Sequence, residues 1–209
     1  MGKCGTSEKT VTDTAAMITA SEKKELRELY LARRERETKN HPEFRTLLNK
    51  AILDWLNKER VFSIGFYWPF RAEPDISQAV RTWLSQNSER RAALPVIDDK
   101  NNGLMHFAAW RPDTAMRVGA FGIAIPKDDV KVVPEIVFLP CIAFNESGVR
   151  LGSGAGFFDR YLAARSREPL PPVKVAVSFE MLRCEALQAE QHDVLCDWIA
   201  TEAGVRRVG

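Results

Sequence analysis

Gly148-Val-Arg-Leu-Gly-Ser-Gly-Ala-Gly-Phe-Phe-Asp-Arg-Tyr161 lies between two regular elements. Ahead of it, Ile136-Val-Phe-Leu-Pro-Cys-Ile-Ala-Phe144 is apolar enough for a buried strand. Behind it, Phe157 to Ala164 reads as the first turns of a helix. Glycines alternate at 152, 154 and 156. A glycine-rich loop between strand and helix can aim several backbone N–H groups at one anion, and the helix N-terminus adds partial positive charge. Asp159, one turn into that helix, is placed to hold a magnesium ion beside a bound phosphate. A tight surface turn that needs positive φ would use the same glycines, and spacing does not separate the two. The loop is not the dinucleotide GxGxxG, because position 157 is Phe. Nor is it a P-loop, because no Gly-Lys-Ser/Thr follows.

Outward from this loop the chain alternates helices and apolar strands. Residues 1–19 are polar and Thr-rich and read as a loose tail, which leaves 20–209 as a single domain. Ser21 to about Lys39 reads as a charged helix with Leu26, Leu29 and Tyr30 on one face. Pro42 opens a second helix, where Phe44, Leu47, Leu48, Ala51, Ile52, Trp55 and Leu56 follow helical spacing. Val61 to Tyr67 reads as a strand, and Ile76, Ala79, Val80, Trp83 and Leu84 mark a third helix. Ala93 to Ile97 and Leu104 to Trp110 read as a strand pair joined by an Asp-Lys-Asn-Asn-Gly turn. Val173 to Phe179 is another buried strand. This alternation argues an α/β sheet covered on both faces.

The 209 residues fit one domain, and 45% hydrophobic residues suffice for a sizeable core. A net charge of +2 provides no global field toward nucleic acid or membrane, so an anionic ligand must meet local basic groups. Cys4, Cys141, Cys184 and Cys196 lack CxxC spacing, which suggests reduced thiols in a cytoplasmic protein. No signal peptide and no membrane-spanning apolar stretch is evident. Met1-Gly-Lys-Cys-Gly-Thr6 matches the short myristoylation pattern.

The loop resembles the signature of the 5-formyltetrahydrofolate cyclo-ligase family, which carries Arg-Leu-Gly-x-Gly-x-Gly-Tyr-Tyr-Asp after an apolar strand. Arg150, Leu151, Gly152, Gly154, Gly156 and Asp159 match it. Ser153 and Ala155 fill the variable positions, and Phe157-Phe158 replace the tyrosine pair. The resemblance implies a three-layer α/β/α fold with a mostly parallel sheet, of the kind shared with sugar-phosphate isomerases and CoA transferases. It implies that Arg150 to Phe158 line the ATP phosphates, with Ser153, Gly154, Ala155, Gly156 and Phe157 also facing the folate. A basic pair on the family's first helix, matched by Lys23 and Arg27, would reach the same phosphates. Without the resemblance these two would read as a solvated face, like Lys24, Arg33, Arg34 and Arg36.

Within Tyr67-Trp-Pro-Phe-Arg-Ala-Glu-Pro-Asp75, Trp68 and Glu73 fall where the family has an aromatic and a carboxylate against the pterin. A ring can stack on a pterin, and a carboxylate can accept two of its N–H bonds. Trp110 and Phe121 are further wall candidates. In Gln191-His-Asp-Val-Leu-Cys-Asp-Trp-Ile-Ala-Thr-Glu202, Asp193 matches the family's second magnesium ligand, with Asp197 next, and His192 reads as a hydrogen-bonding neighbour. The implied reaction is ATP- and magnesium-dependent cyclisation of 5-formyltetrahydrofolate to 5,10-methenyltetrahydrofolate. It needs no nucleophilic side chain. The alternatives are an altered paralogue that binds nucleotide or folate with weak or no activity, and a sugar-phosphate enzyme of the same fold.

Overall fold

The structure is a computed structural model and describes residues 20–209. The expectations for residues 1–19, a loose tail with a myristoylation pattern and Cys4, lie outside the described residues. In chain order the first elements are α1 (Ala20–Asn40), α2 (Glu43–Leu56), β1 (Ser63–Gly65), α3 (Ser77–Ser85), β2 (Arg91–Asp99) and β3 (Leu104–Trp110). Then come β4 (Met116–Val118), β5 (Ala124–Pro126), β6 (Lys131–Val132), β7 (Ile136–Pro140), β8 (Ala143–Phe144) and β9 (Arg150–Leu151). The last are α4 (Phe157–Arg165), β10 (Val173–Val177), β11 (Trp198–Thr201) and β12 (Gly204–Arg207).

β7 is apolar on both sides, so it is stable only inside a sheet covered on both faces. It pairs parallel with β1 on one side and β10 on the other. The full eight-stranded order is β12-β11-β10-β7-β1-β2-β3-β6. Pairing is parallel from β11 through β2, and antiparallel at β11–β12, β2–β3 and β3–β6. Alternate residues enter different cores. Ile136 and Phe138 join side chains of α2 and α3, while Val137 and Leu139 join Leu162 of α4. Helices therefore cover both faces of a mostly parallel sheet, as expected.

Several local expectations shift. The run from 136 to 144 is not one strand: it ends at Pro140, which has no N–H for a ladder. Ile142 N–H then donates to the Leu151 carbonyl at 2.7 Å, and β8 and β9 form a separate ladder. Leu29 and Leu47 point to solvent, 64% and 45% exposed, because each lies at the margin of its helix's apolar stripe. Among the described residues, Leu26 and Tyr30 carry the apolar contact of α1, against Ala143, Val149, Leu151, Cys184 and Leu187, with Tyr30 also bordering the main core. β11 takes up the last third of the segment read as a site element, Gln191 to Glu202.

Candidate active site

Four loops gather at the carboxyl ends of the parallel strands, the edge where open α/β sheets bind ligands. Trp68 and Glu73 follow β1, and Lys100 and Gly103 lie in the β2–β3 turn. The glycines follow β7 through the β8–β9 ladder, and Glu190 and Asp193 follow β10. Asn145, which the sequence does not single out, sets that ladder. Its Oδ1 accepts the N–H groups of Ser147 and Val149 at 3.1 and 3.0 Å, and its Nδ2 donates to the Leu187 carbonyl at 2.9 Å.

Gly154 and Gly156 hold φ of 96° and 66°, and Gly156 stands immediately before α4. Their conformation alone accounts for glycine there. Gly152 has ordinary φ and no neighbour within 4 Å of a Cβ. Ser153, Gly154 and Ala155 are exposed. Leu151 is buried and reaches the loop only through its backbone. Although positions 153 and 155 carry no charge, Arg160 folds back onto the loop. It donates to the Ala155 carbonyl at 2.6 Å and to the Gly103 carbonyl at 3.3 Å. Its guanidinium lies 5.4 Å from the Phe157 ring, which meets Phe121 edge-on at 6.2 Å. Phe121 is exposed with φ of 57°, a strained conformation for a ring-bearing residue. Phe158 instead turns inward, between the cores of the two sheet faces.

α1 brings its cations across this edge. Arg27 Nε donates to the Gly152 carbonyl at 3.0 Å. Lys23 Nζ lies 2.9 Å from Glu190 Oε1 and 3.6 Å from Asp193 Oδ2. Asp193 Oδ2 also accepts the Glu190 N–H at 2.8 Å. Asp159 Oδ1 accepts from Arg150 at 2.8 Å and from the Val194 N–H at 3.3 Å, so the two aspartates sit on adjoining backbone. Arg150 is thus committed to Asp159, its side chain only 5% exposed.

Asp159 Oδ2 and Asp193 Oδ1 take no hydrogen bond among the described residues. Two such hard oxygen donors beside a glycine loop fit magnesium, which takes few carboxylates and completes its shell with other oxygen ligands and water. Ligand atoms of Glu190, His192 and Asp193 also lie within 4.8 Å of one another. His192 pairs with Glu190 at 3.2 Å, and its nitrogen suits magnesium poorly. Glu190 was not legible because nothing local marks it; only the fold sets it against Lys23. Asp197 is corrected: it binds the Lys174 ammonium at 3.0 Å and N–H at 2.8 Å, at the amino ends of β10 and β11.

The loop after β1 is tight. Arg71 and Ala72 hold φ of 48° and 57°, and Tyr67 Oη donates to the Pro74 carbonyl at 2.6 Å. Glu73 accepts the Phe70 N–H at 2.9 Å. Burial pushes its carboxyl above the usual range, opposed by that bond and by the Arg34 charge. Asp75 accepts the N–H of Ser77, the first residue of α3, at 2.9 Å. Trp68 is half-buried, 6.1 Å from the Trp110 ring. Trp110 is 2% exposed and belongs to the core. Arg34 is also corrected. It is no solvated charge but lies 2% exposed, donating to the Arg71 carbonyl at 2.8 Å and the Cys141 carbonyl at 3.5 Å.

Cys141, Cys184 and Cys196 are free and buried. Burial pushes the Cys141 thiol up to about 11, so it is no thiolate nucleophile at neutral pH. A cavity of about 750 Å³ lies at the opposite edge, lined in part by Ser63, Arg91, Arg111 and Lys131. It holds none of the loop residues, so convergence of side chains rather than volume marks the site.

The 5-formyltetrahydrofolate cyclo-ligase family model matches residues 19–202. The 5-formyltetrahydrofolate cyclo-ligase of Haemophilus influenzae is 31% identical over 152 residues, which cover 70% of this chain and 79% of that protein. The cyclo-ligase of Mycolicibacterium smegmatis is 28% identical over 164 residues, 73% of this chain and 80% of that one. The NMR structure of Aquifex aeolicus 5,10-methenyltetrahydrofolate synthetase superposes with a TM-score of 0.71 at 26% identity, covering 89% of this chain and 92% of that one.

Proposed function

The chain belongs to the 5-formyltetrahydrofolate cyclo-ligase family, and we propose that its carboxyl-edge site closes 5-formyltetrahydrofolate to 5,10-methenyltetrahydrofolate while ATP becomes ADP and phosphate. The observation that carries this reading is the convergence of Lys23, Arg27, the glycine loop and the Asp159–Asp193 pair. These are the parts that phosphoryl transfer needs, since its catalysis is mostly positioning and charge neutralisation.

The formyl oxygen is a poor leaving group. Transfer of the γ-phosphoryl to that oxygen, with ADP departing, makes it a good one. The folate N10 then attacks the activated carbon, the C–O bond breaks, and phosphate leaves. N–H groups at Ser153 to Gly156, without acceptors among the described residues, and the Arg27 guanidinium hold the phosphates. Lys23, paired with Glu190 and Asp193, is within reach of the same charge. Asp159 and Asp193 would hold magnesium, which would supply charge neutralisation when bound. Arg150 orients Asp159 through one carboxylate oxygen, Oδ1. On the other side, Trp68 offers a ring face and Glu73 an acceptor for the pterin N–H edge. Phe157 and Phe121 wall the space between. No side-chain nucleophile enters the scheme.

Among the described residues no helix is long and apolar enough to cross a membrane. We assign the action to the cytoplasm, on small molecules and not on nucleic acid. Buried free thiols and a net charge of +2 support that assignment.

The test is direct. Purified protein with 5-formyltetrahydrofolate, ATP and magnesium is expected to raise methenyl absorbance with an equal amount of ADP. ADP release indifferent to folate, or no methenyl product at saturating substrates, overturns the reading and leaves an altered paralogue.

A further inference from the structure

Arg34 is the most buried cation among the described residues. Its Nη1 and Nη2 donate to carbonyls in two different loops: Cys141, on the path to the glycines, and Arg71, two residues before Glu73. Its Nε is buried with no acceptor among the described residues. A guanidinium buried with an unpaired N–H costs stability, and an apolar side chain of similar volume serves packing better. The carboxylate that acts on it most is Glu73, whose field offsets part of the burial cost without an ion-pair contact.

The carbonyl that Arg34 grips belongs to a strained turn. Arg71 and Ala72 are consecutive left-handed residues that are not glycine. Such a pair persists only where the surroundings over-determine it. Apart from the Phe70–Glu73 bonds, the Tyr67–Pro74 closure and an exposed Arg71–Glu35 ion pair at 3.4 Å, Arg34 is the outside support for that turn, and the buried one. Lys23, Arg27 and Arg34 follow one another on α1 at spacings of four and seven, so all three leave the same helix face. One rigid element thus touches the acidic corner, the glycine loop and the Glu73 turn.

We propose that Arg34 is a positioning residue that holds the Arg71–Ala72 turn in the form presenting Glu73, and that through it α1 couples nucleotide binding to folate binding. This rests on the site reading above. Phosphates drawn to Lys23 and Arg27 fix the seating of α1. Arg34 carries that seating to the turn, and Glu73 is set before the pterin arrives. Because coupling is reciprocal, bound folate tightens the nucleotide by the same factor.

Arg34→Met keeps length and removes both the charge and the orphan N–H. Arg34→Lys keeps the charge but cannot bridge two carbonyls. In the ligand-free protein, hydrogen exchange at the Phe70 and Glu73 amides is expected to accelerate by about tenfold or more in both variants, with sheet amides unchanged. By calorimetry, the 5-formyltetrahydrofolate Kd is expected to rise about tenfold, while the Kd for ATP alone stays within about twofold. A non-hydrolysable ATP analogue should tighten folate binding in the original protein and do so far less in either variant. Unchanged turn amides, ATP and folate affinities that fall together, full rescue by Arg34→Lys, or failure of both variants to fold would each overturn the proposal. If the original protein binds no 5-formyltetrahydrofolate, the function reading falls and the coupling with it. The exchange measurement then decides alone whether Arg34 holds the turn.

Discussion

Burial raises the Glu73 carboxyl above its unfolded value, so the folded chain favours the protonated form. The stability this provides is complete below the unfolded value and is lost as pH rises through the folded one. At neutral pH the ionised carboxylate therefore costs stability. Glu73→Gln is expected to raise Tm at neutral pH, with the gain vanishing near about pH 4, and to weaken folate binding about tenfold. Melting curves at both pH values and calorimetry check this; a lower Tm at neutral pH contradicts it. Substitution at Asp159 is expected to have the opposite effect on stability. Because Arg150 is buried on it, Asp159→Asn is expected to cost on the order of 1–3 kcal/mol besides most of the turnover. Urea melts beside a rate assay separate the two losses, and unchanged turnover removes the metal assignment. The two phenylalanines also divide. Phe157 lies at the site wall under Arg160, and Phe158 lies between the cores. Phe157→Tyr is expected to gain several-fold in kcat/KM if the family's hydroxyl matters there, about 1 kcal/mol. Phe158→Tyr places a hydroxyl in apolar surroundings and is expected to lower stability by roughly the same amount. Equal effects at both positions would show that the two rings share one environment.

Among the four α-helices, α1 has the least apolar character and the most contact with the proposed site. Arg27→Ala is expected to weaken ATP about tenfold, since a charge-assisted bond is lost. Lys24→Ala, on the exposed side of the helix, is expected to stay within about twofold. Arg34 is unsuited as that control because it is buried. Equal small effects at 24 and 27 would return Arg27 to the solvated face. The same helix shows where sequence legibility ends. α2 and α3 are legible because Leu48, Ile52, Trp55, Val80 and Trp83 bury a continuous stripe. The β2–β3 hairpin is legible because Asp99 accepts the Asn101 and Asn102 N–H groups and Gly103 takes positive φ. On α1, dense charge hides which cations face inward, and only tertiary contacts separate Arg34 from Arg33. The glycine loop, Lys23, Arg27 and Asp159 are legible through a motif. Glu190, Asn145 and Arg160 are not, since each acts on backbone or side chains from distant segments. The strands β8, β9, β11 and β12 are two to four residues long, too short for alternation to show.

Across the whole molecule, burial pushes Cys141 up to about 11 and Cys196 up to about 12. Neither thiol should react with a maleimide in the native state at neutral pH. Labelling should follow global opening and slow further when ATP and folate stabilise the fold. Labelling faster than opening, by mass spectrometry against hydrogen exchange of the sheet, would show a local route to either thiol. The reach of α1 also bears on synthesis. The helix leaves the ribosome early, yet Arg27 waits for a partner 125 residues downstream, and Arg34, which meets Arg71 sooner, completes its contacts only 107 residues downstream. At usual elongation speeds the wait is on the order of ten seconds. A helix with so little apolar surface has nothing to hold it meanwhile. Its basic face docks only after the glycine hairpin and the acidic corner have emerged. A nascent chain therefore has no phosphate grip until nearly all of it is made, and ligand affinity arrives in the same step as the finished fold.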